Sequence, residues 1–211
     1  MILVKPSHKV LTPIGPEILT IIEAAGRTCY KSEHKITETS AIAFCKRLIE
    51  SGHHSVLEHF NIQVRFICDR GVSHELVRHR LCAFSQESTR YCNYKGGVTF
   101  IIPPWLHFKE GEYDSVHDLD VGTDGVFWFN SMIRSEQSYK ALLKINWTPQ
   151  QARSVLPNSL KTEIVVTTNI REWRHILKLR TSSAAHPQMQ ELMKPLLKEF
   201  QDNIPILFDE V

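Results

Sequence analysis

The spacing of apolar positions changes several times along this chain, and each change marks an element. From Gly15-Pro16 onward, Ile18, Ile21, Ile22 and Ala25 recur at helical spacing, which predicts a helix with Pro16 at a tolerated first position. A second helix is expected from Thr39 or Ser40 to Ser51, burying Ile42, Cys45, Leu48 and Ile49 and stopping at Gly52. Residues 61–68 alternate through Ile62, Val64 and Phe66, the pattern of a half-buried strand. Asp69-Arg70-Gly71 ends it. A helix capped by Asp69 or Ser73 follows, with Val72, Leu76 and Val77 turned inward. Residues 97–102 predict another strand, ended by Pro103-Pro104.

Periodicity is lost over residues 107–125, which are polar and acidic and are expected to form a solvated loop. Asp118, Asp120 and Asp124 suggest a calcium loop, but Gly122 stands where a third carboxylate belongs and Phe129 where the closing glutamate belongs. Helices fit 126–145 and 149–155, and the β-branched run 163–168 predicts a strand. Asn169 then caps a helix, with Glu172 three positions on completing a capping-box pattern and Trp173, Ile176 and Leu177 facing inward. Met189, Leu192, Met193, Leu196, Leu197 and Phe200 stripe a last long helix, which Pro195 is expected to kink or to enter at its first turn. Strands and helices interleave without regular alternation. That predicts an α+β fold, one domain over residues 1–211, with a mixed or antiparallel sheet packed by helices.

Composition narrows the function classes. The chain has 211 residues and a formal net charge of +2, too balanced for a dedicated nucleic-acid binder, so any basic function is local. No apolar run approaches membrane length and the first residues are too short for a signal-peptide core, which points to the cytoplasm. The five cysteines show no Cys-x-x-Cys spacing and read as free thiols.

The densest polar cluster is Arg78-His79-Arg80 followed by Gln86-Glu87-Ser88-Thr89-Arg90. Arginine's planar fork suits phosphate oxygens, and Ser88 and Thr89 add hydroxyl donors. Arg78 and Arg80 would diverge on a helix, whereas Ser88 and Arg90 would share a face on an extended stretch, so the pattern suits two anionic groups. Tyr91 and Tyr94 offer rings for stacking. The plain alternative is a solvated basic face ion-paired to Glu75 and Glu87. His53, His54 and His59 lack any strong metal spacing, and no metal is expected. Arg171 and His175 neighbour each other on the helix capped by Asn169, whose positive end favours an anion. Arg153 is a lone arginine among apolar residues and reads as half-buried, needing an acidic partner or a ligand. For each of these arginines an ion pair and a ligand contact stay open.

Taken in order, four segments resemble the flavin-dependent thymidylate synthases. They are Gly52-His53-His54-Ser55-Val56-Leu57-Glu58-His59, then Arg78-His79-Arg80 with Ser88, then Ala152-Arg153-Ser154-Val155-Leu156-Pro157, and last Asn169-Ile170-Arg171 with Leu179-Arg180. The resemblance implies reductive methylation of dUMP to dTMP in de novo dTMP synthesis. Methylenetetrahydrofolate supplies the carbon, FAD carries the hydride and NADPH reduces the flavin. It also implies a homotetramer with sites where subunits meet; the balanced charge and the lack of a membrane-length apolar run leave no nucleic-acid or membrane partner expected. Carried over by position, Ser55, Arg78, His79, Arg80, Gln86, Asn169, Ile170, Arg171 and His175 meet FAD. Glu75, Leu76, Val77, Arg78, Gln86, Glu87, Ser88, Thr89, Arg90 and Arg153 surround dUMP, and His53 lies near folate or flavin. Arg180 favours ionisation of the pyrimidine ring nitrogen, and Ser88 is a substrate-positioning hydroxyl rather than a nucleophile. Two positions depart from the family pattern: His175 replaces a frequent asparagine, and Gln86 takes a position also held by glutamate. Both side chains still donate hydrogen bonds.

Overall fold

The structure, a computed structural model, describes residues 1–115 and 121–211. The strands are β1 (Ile2–Val4), β2 (Ser7–Val10), β3 (Asn61–Asp69), β4 (Ala83–Gln86), β5 (Thr99–Ile101), β6 (Gly111–Glu112) and β7 (Lys161–Asn169). The helices are α1 (Glu17–Thr28), α2 (Ser40–Glu50), α3 (Arg70–Leu76), α4 (Gly122–Lys144), α5 (Pro149–Ala152), α6 (Ile170–Arg180), α7 (Pro187–Asn203) and α8 (Pro205–Phe208). One sheet has order β5-β1-β6 and another β2-β3-β7-β4. The first is mixed: β1 runs parallel to β5, with Leu3 opposite Phe100, and antiparallel to β6. This is the α+β class the pattern predicts.

The chain forms two compact units. The first comprises residues 1–7, 66–78 and 85–164. Its core gathers Leu3, Phe100, Leu106, Phe108, Phe129 and Tyr139. Phe108 stacks on Phe129 with centroids 5.8 Å apart. This corrects the expectation of a solvated loop over 107–125, because Phe108 is core and Gly111–Glu112 adds a short strand to β1. Asp118 and Asp120 lie outside the described residues, and Asp124 belongs to the first turn of α4. At the start of α3, Asp69 rather than Ser73 is the cap, accepting the Val72 N–H at 2.6 Å. Val72 and Leu76 are buried as expected, but Val77, just past the helix end, is exposed.

The second unit comprises residues 8–65, 79–84 and 165–211. Here α1 packs on α2, α6 on α7, and α8 on both α2 and α7. A Cβ on Gly26 would lie 2.7 Å from the Phe44 ring, so a larger residue there requires that side chain to shift. The buried face of α1 is Ile18, Leu19, Ile22, Glu23 and Gly26. Ile21 is exposed, contrary to the apolar spacing, while Glu23 lies on the buried face. Glu23 is 1 % exposed and accepts from Arg27 at 2.7 Å and from Ser40 at 2.7 Å. Ile42 is likewise exposed, since α2 buries the Ala41, Cys45 and Ile49 row instead. Burial pushes the Cys45 thiol up to about 12, so it remains an unreactive core group at neutral pH. Gly52, with φ of 71°, ends that segment in the left-handed region as its position predicts. Pro195 lies inside α7, which continues through it to Asn203. No described helix is long and apolar enough to cross a membrane.

Candidate functional site

In the second unit the chemistry gathers at the beginning of α6. Asn169 caps it by accepting the Glu172 N–H at 2.9 Å, and the N–H groups of the first turn make this end positive. The reciprocal half of the expected capping box is missing, because the Glu172 carboxylate faces His79 instead. A cavity of about 500 Å³ opens here, lined by Glu58, Leu81, Asn169, Arg171, Glu172 and His175. Arg171 pairs with Glu58 at 2.6 Å, so the ion-pair alternative holds for this arginine. Both partners are about half exposed, and such a pair is weak enough to exchange for an anion in the cavity. Ile170 is buried and donates its N–H to the Phe60 carbonyl at 3.1 Å. Glu58, within the Gly52–His59 segment, and Leu81, next to Arg78-His79-Arg80, join this cavity without having been expected as site residues.

His79 is 7 % exposed. Arg180 Nε donates to its Nε2 at 3.1 Å, and its Nδ1 lies 3.6 Å from Glu172 Oε1. Burial, then the Arg180 charge, then His175 hold the imidazole down to about 4, so it is neutral near pH 7. His79, Glu172 and His175 place three ligand atoms within 4.8 Å of one another. That spacing suggests a metal, but the protons argue otherwise. A metal on Nδ1 requires a proton on Nε2, where Arg180 already presents an N–H. A metal on Nε2 must displace Arg180. Among the described residues, His53, His54 and His59 form no such group.

The depressed His79 value sets a pH dependence. Between its ordinary value near 6.5 and about 4, the unfolded chain binds a proton here that the folded chain refuses. The contribution is therefore complete above about pH 6.5 and is lost as pH falls toward about 4. Urea midpoints measured at about pH 7.5 and about pH 5 are expected to fall with pH, and His79→Gln is expected to flatten the slope. An identical slope in the variant would remove His79 as its source.

In the first unit, Arg78 follows the end of α3 and is exposed, its N–H bonded to the Glu75 carbonyl at 3.2 Å. Gln86 Nε2 donates to Ser73 at 2.8 Å and to Thr162 at 3.2 Å. Glu87 accepts from the Tyr94 hydroxyl at 2.7 Å and pairs with Lys161 at 3.1 Å. Tyr94 is half-buried, with its hydroxyl tied to Glu87. It leans on Tyr139, and burial followed by Glu87 holds its phenol well above the ordinary range. Tyr91 stays exposed, with Arg90 over its ring. Ser88 and Arg90 do not share an extended face, because the chain turns: Tyr91 and Cys92 donate to the Ser88 carbonyl, and the Arg90 N–H donates to Ser88 Oγ at 3.3 Å. Arg153 is exposed rather than half-buried, and it donates to buried Thr89 at 3.0 Å. Among the described residues no carboxylate pairs with Arg78, Arg80, Arg90 or Arg153, so the alternative of ion pairs to Glu75 and Glu87 is not realised. The Arg78–Arg90 stretch also divides, with Arg78 and 85–90 in the first unit and His79–Phe84 in the second.

A second cavity in the second unit, of about 310 Å³, is lined by Cys29, Tyr30, Phe44, Arg47, His53 and Ser55 among others. It brings His53 and Ser55 together beside two rings that the sequence pattern did not single out.

Fold and geometry define an α+β protein with exposed arginines and a cavity at a helix N-terminus, suited to phosphorylated ligands. Residues 11–206 match the family model described as thymidylate synthase complementing protein. The chain is 33% identical over 199 residues to a flavin-dependent thymidylate synthase of Corynebacterium aurimucosum, covering 90% of this chain and 78% of the relative. It is 32% identical over 195 residues to one of Mycobacterium avium, covering 89% and 77%. The fold superposes on the crystal structure of a UMP/dUMP methylase from Streptomyces cacaoi bound with 5-Br dUMP, with TM-score 0.78 and 22% identity, covering 99% of this chain and 96% of that one. The chain belongs to the thymidylate synthase complementing protein family, whose relatives here are flavin-dependent thymidylate synthases.

Proposed function

We propose that this chain is a flavin-dependent thymidylate synthase that reductively methylates dUMP to dTMP. Methylenetetrahydrofolate is the carbon donor and NADPH the reductant. FAD, when bound, supplies the hydride-transfer chemistry. The observation that carries the reading is the cavity at the start of α6, which gathers Asn169, Arg171 and His175, the positions matched to flavin contacts. The residues present fit an anionic cofactor: a capped helix end, an exchangeable guanidinium and an exposed imidazole. His79, Arg80 and Ile170 complete this set, and Ser55 and His53 line the second cavity, where flavin or folate is expected.

The phosphate of dUMP is assigned to Arg78, Arg90 and Arg153, none of them held by a carboxylate among the described residues. Ser88 and Thr89 position the nucleotide with their hydroxyls, while Glu75, Leu76, Val77, Gln86 and Glu87 shape its surroundings. Arg180 is assigned to ionisation of the pyrimidine. Because the family match runs through both units, we treat residues 1–211 as one synthase domain, acting in the cytoplasm. A homotetramer with sites at subunit interfaces is part of the same proposal.

Purified protein is expected to be yellow and to form dTMP from dUMP, methylenetetrahydrofolate and NADPH. A colourless preparation that binds no added FAD and yields no dTMP overturns the reading.

A further inference from the structure

We propose that Glu172 and His79 form a positioning pair for Arg180. The Glu172 carboxylate keeps the His79 proton on Nδ1, and the bare Nε2 then fixes the Arg180 guanidinium. The catalytic consequence rests on the reading of Arg180 given above; the pair itself rests on geometry within the second unit.

The Arg180 Nε–H can only donate, so the nitrogen it meets at 3.1 Å must accept. A neutral imidazole has one acceptor nitrogen, and here it is Nε2, so the proton sits on Nδ1. Neutral imidazole in water favours the opposite tautomer, so the site has to select this one. Glu172 Oε1, 3.6 Å from Nδ1, does so by its negative charge. At that distance the contact is electrostatic rather than a formed hydrogen bond. Glu172 is 8 % exposed, so solvent screens the charge little.

The backbone around His79 is also held. The Cys82 N–H donates to the His79 carbonyl at 3.2 Å, and the Thr168 hydroxyl donates to the Leu81 carbonyl at 2.9 Å. The ring is thus a fixed spacer between two residues of one helix, Glu172 in the first turn of α6 and Arg180 at its end. Gripping Arg180 at Nε sets the guanidinium plane at its root. A group that stabilises a developing anion needs such preorganisation.

The first test is the His79 tautomer by nitrogen NMR, in full-length protein labelled at histidine and freed of nucleotide, with His79→Gln to assign the signal. A neutral ring protonated at Nδ1 is expected; a ring protonated at Nε2, or a cation at neutral pH, overturns the pair. Glu172→Gln removes the charge at nearly constant shape. It is expected to shift the tautomer toward Nε2 and to lower kcat about tenfold, with KM for dUMP within about twofold. Glu172→Asp is expected to restore part of both. An unchanged tautomer in Glu172→Gln overturns the role of Glu172. A shifted tautomer with unchanged kcat supports the pair and overturns the catalytic reading of Arg180. The wild-type measurement decides even if a variant fails to fold.

Discussion

Arg180→Ala is expected to keep its flavin and to lose turnover by about 100- to 1,000-fold, the range seen when one preorganised donor to a developing anion is removed. Ionising a pyrimidine ring nitrogen places negative charge on the ring. A guanidinium stabilises that charge without surrendering its own proton, because it stays protonated throughout the working range. Alanine removes the cation and leaves His79 Nε2 without the Arg180 donor that meets it at 3.1 Å. Flavin retention is expected to survive because Asn169, Arg171 and His175, which line the cavity at the start of α6, are unaltered. Arg180→Lys keeps a charge but not the flat fork held at Nε, so it is expected to recover only part of the rate. The measurement pairs flavin absorbance of the purified variant with dTMP formation. Wild-type turnover in Arg180→Ala would falsify the assignment.

Local signals in the sequence carried far in some places and failed in others for identifiable reasons. The alternation at Ile62, Val64 and Phe66, the Asn169 cap and the α7 stripe appear as expected, because each is set by neighbours within one or two turns. Ile21 and Ile42 fit a helical period yet face outward. Hydrophobic spacing has no means of registering that Glu23 is buried by Arg27 and Ser40. Residues 107–125 look solvated because their apolar members are sparse, but Phe108 meets Phe129 from far along the chain. At the site, residue types were legible and partners were not. Arg171 was equally suited to a ligand or an ion pair until the fold placed Glu58 beside it. Glu172 looked like half of a capping box, and only the return of His79 to α6 gives it another partner. Arg153 looked half-buried from its apolar neighbours, but it stands exposed at the end of α5, hydrogen-bonded to Thr89.

Trp173→Ala is expected to be the most destabilising single change considered, and to weaken flavin retention with it. Trp173 is fully buried, meets Phe200 edge-on at 5.8 Å and donates its indole N–H to the Ile62 carbonyl at 3.0 Å. Truncating a buried Trp costs about 3–5 kcal/mol, and the stranded carbonyl adds about 1–3 kcal/mol. Against a typical total of about 5–15 kcal/mol that is a large share, and the melting temperature is expected to fall by about 10 °C or more. The link to function is positional. Trp173 seats the inner face of α6, and the same helix carries Arg171, Glu172, His175 and Arg180. Loosening its seat disperses groups that act together, so flavin affinity should drop although no flavin contact is deleted. Two measurements separate this from simple unfolding. Trp173→Phe keeps one aromatic ring in the core while losing the N–H and the fused five-membered ring, so it is expected to destabilise less than Trp173→Ala and to retain flavin. Saturating FAD is expected to raise the Trp173→Ala midpoint, since a ligand that binds only the folded state stabilises it. A Trp173→Ala protein that melts like wild type, or that melts early yet holds FAD as tightly, contradicts the idea that the core side of α6 positions its cavity side.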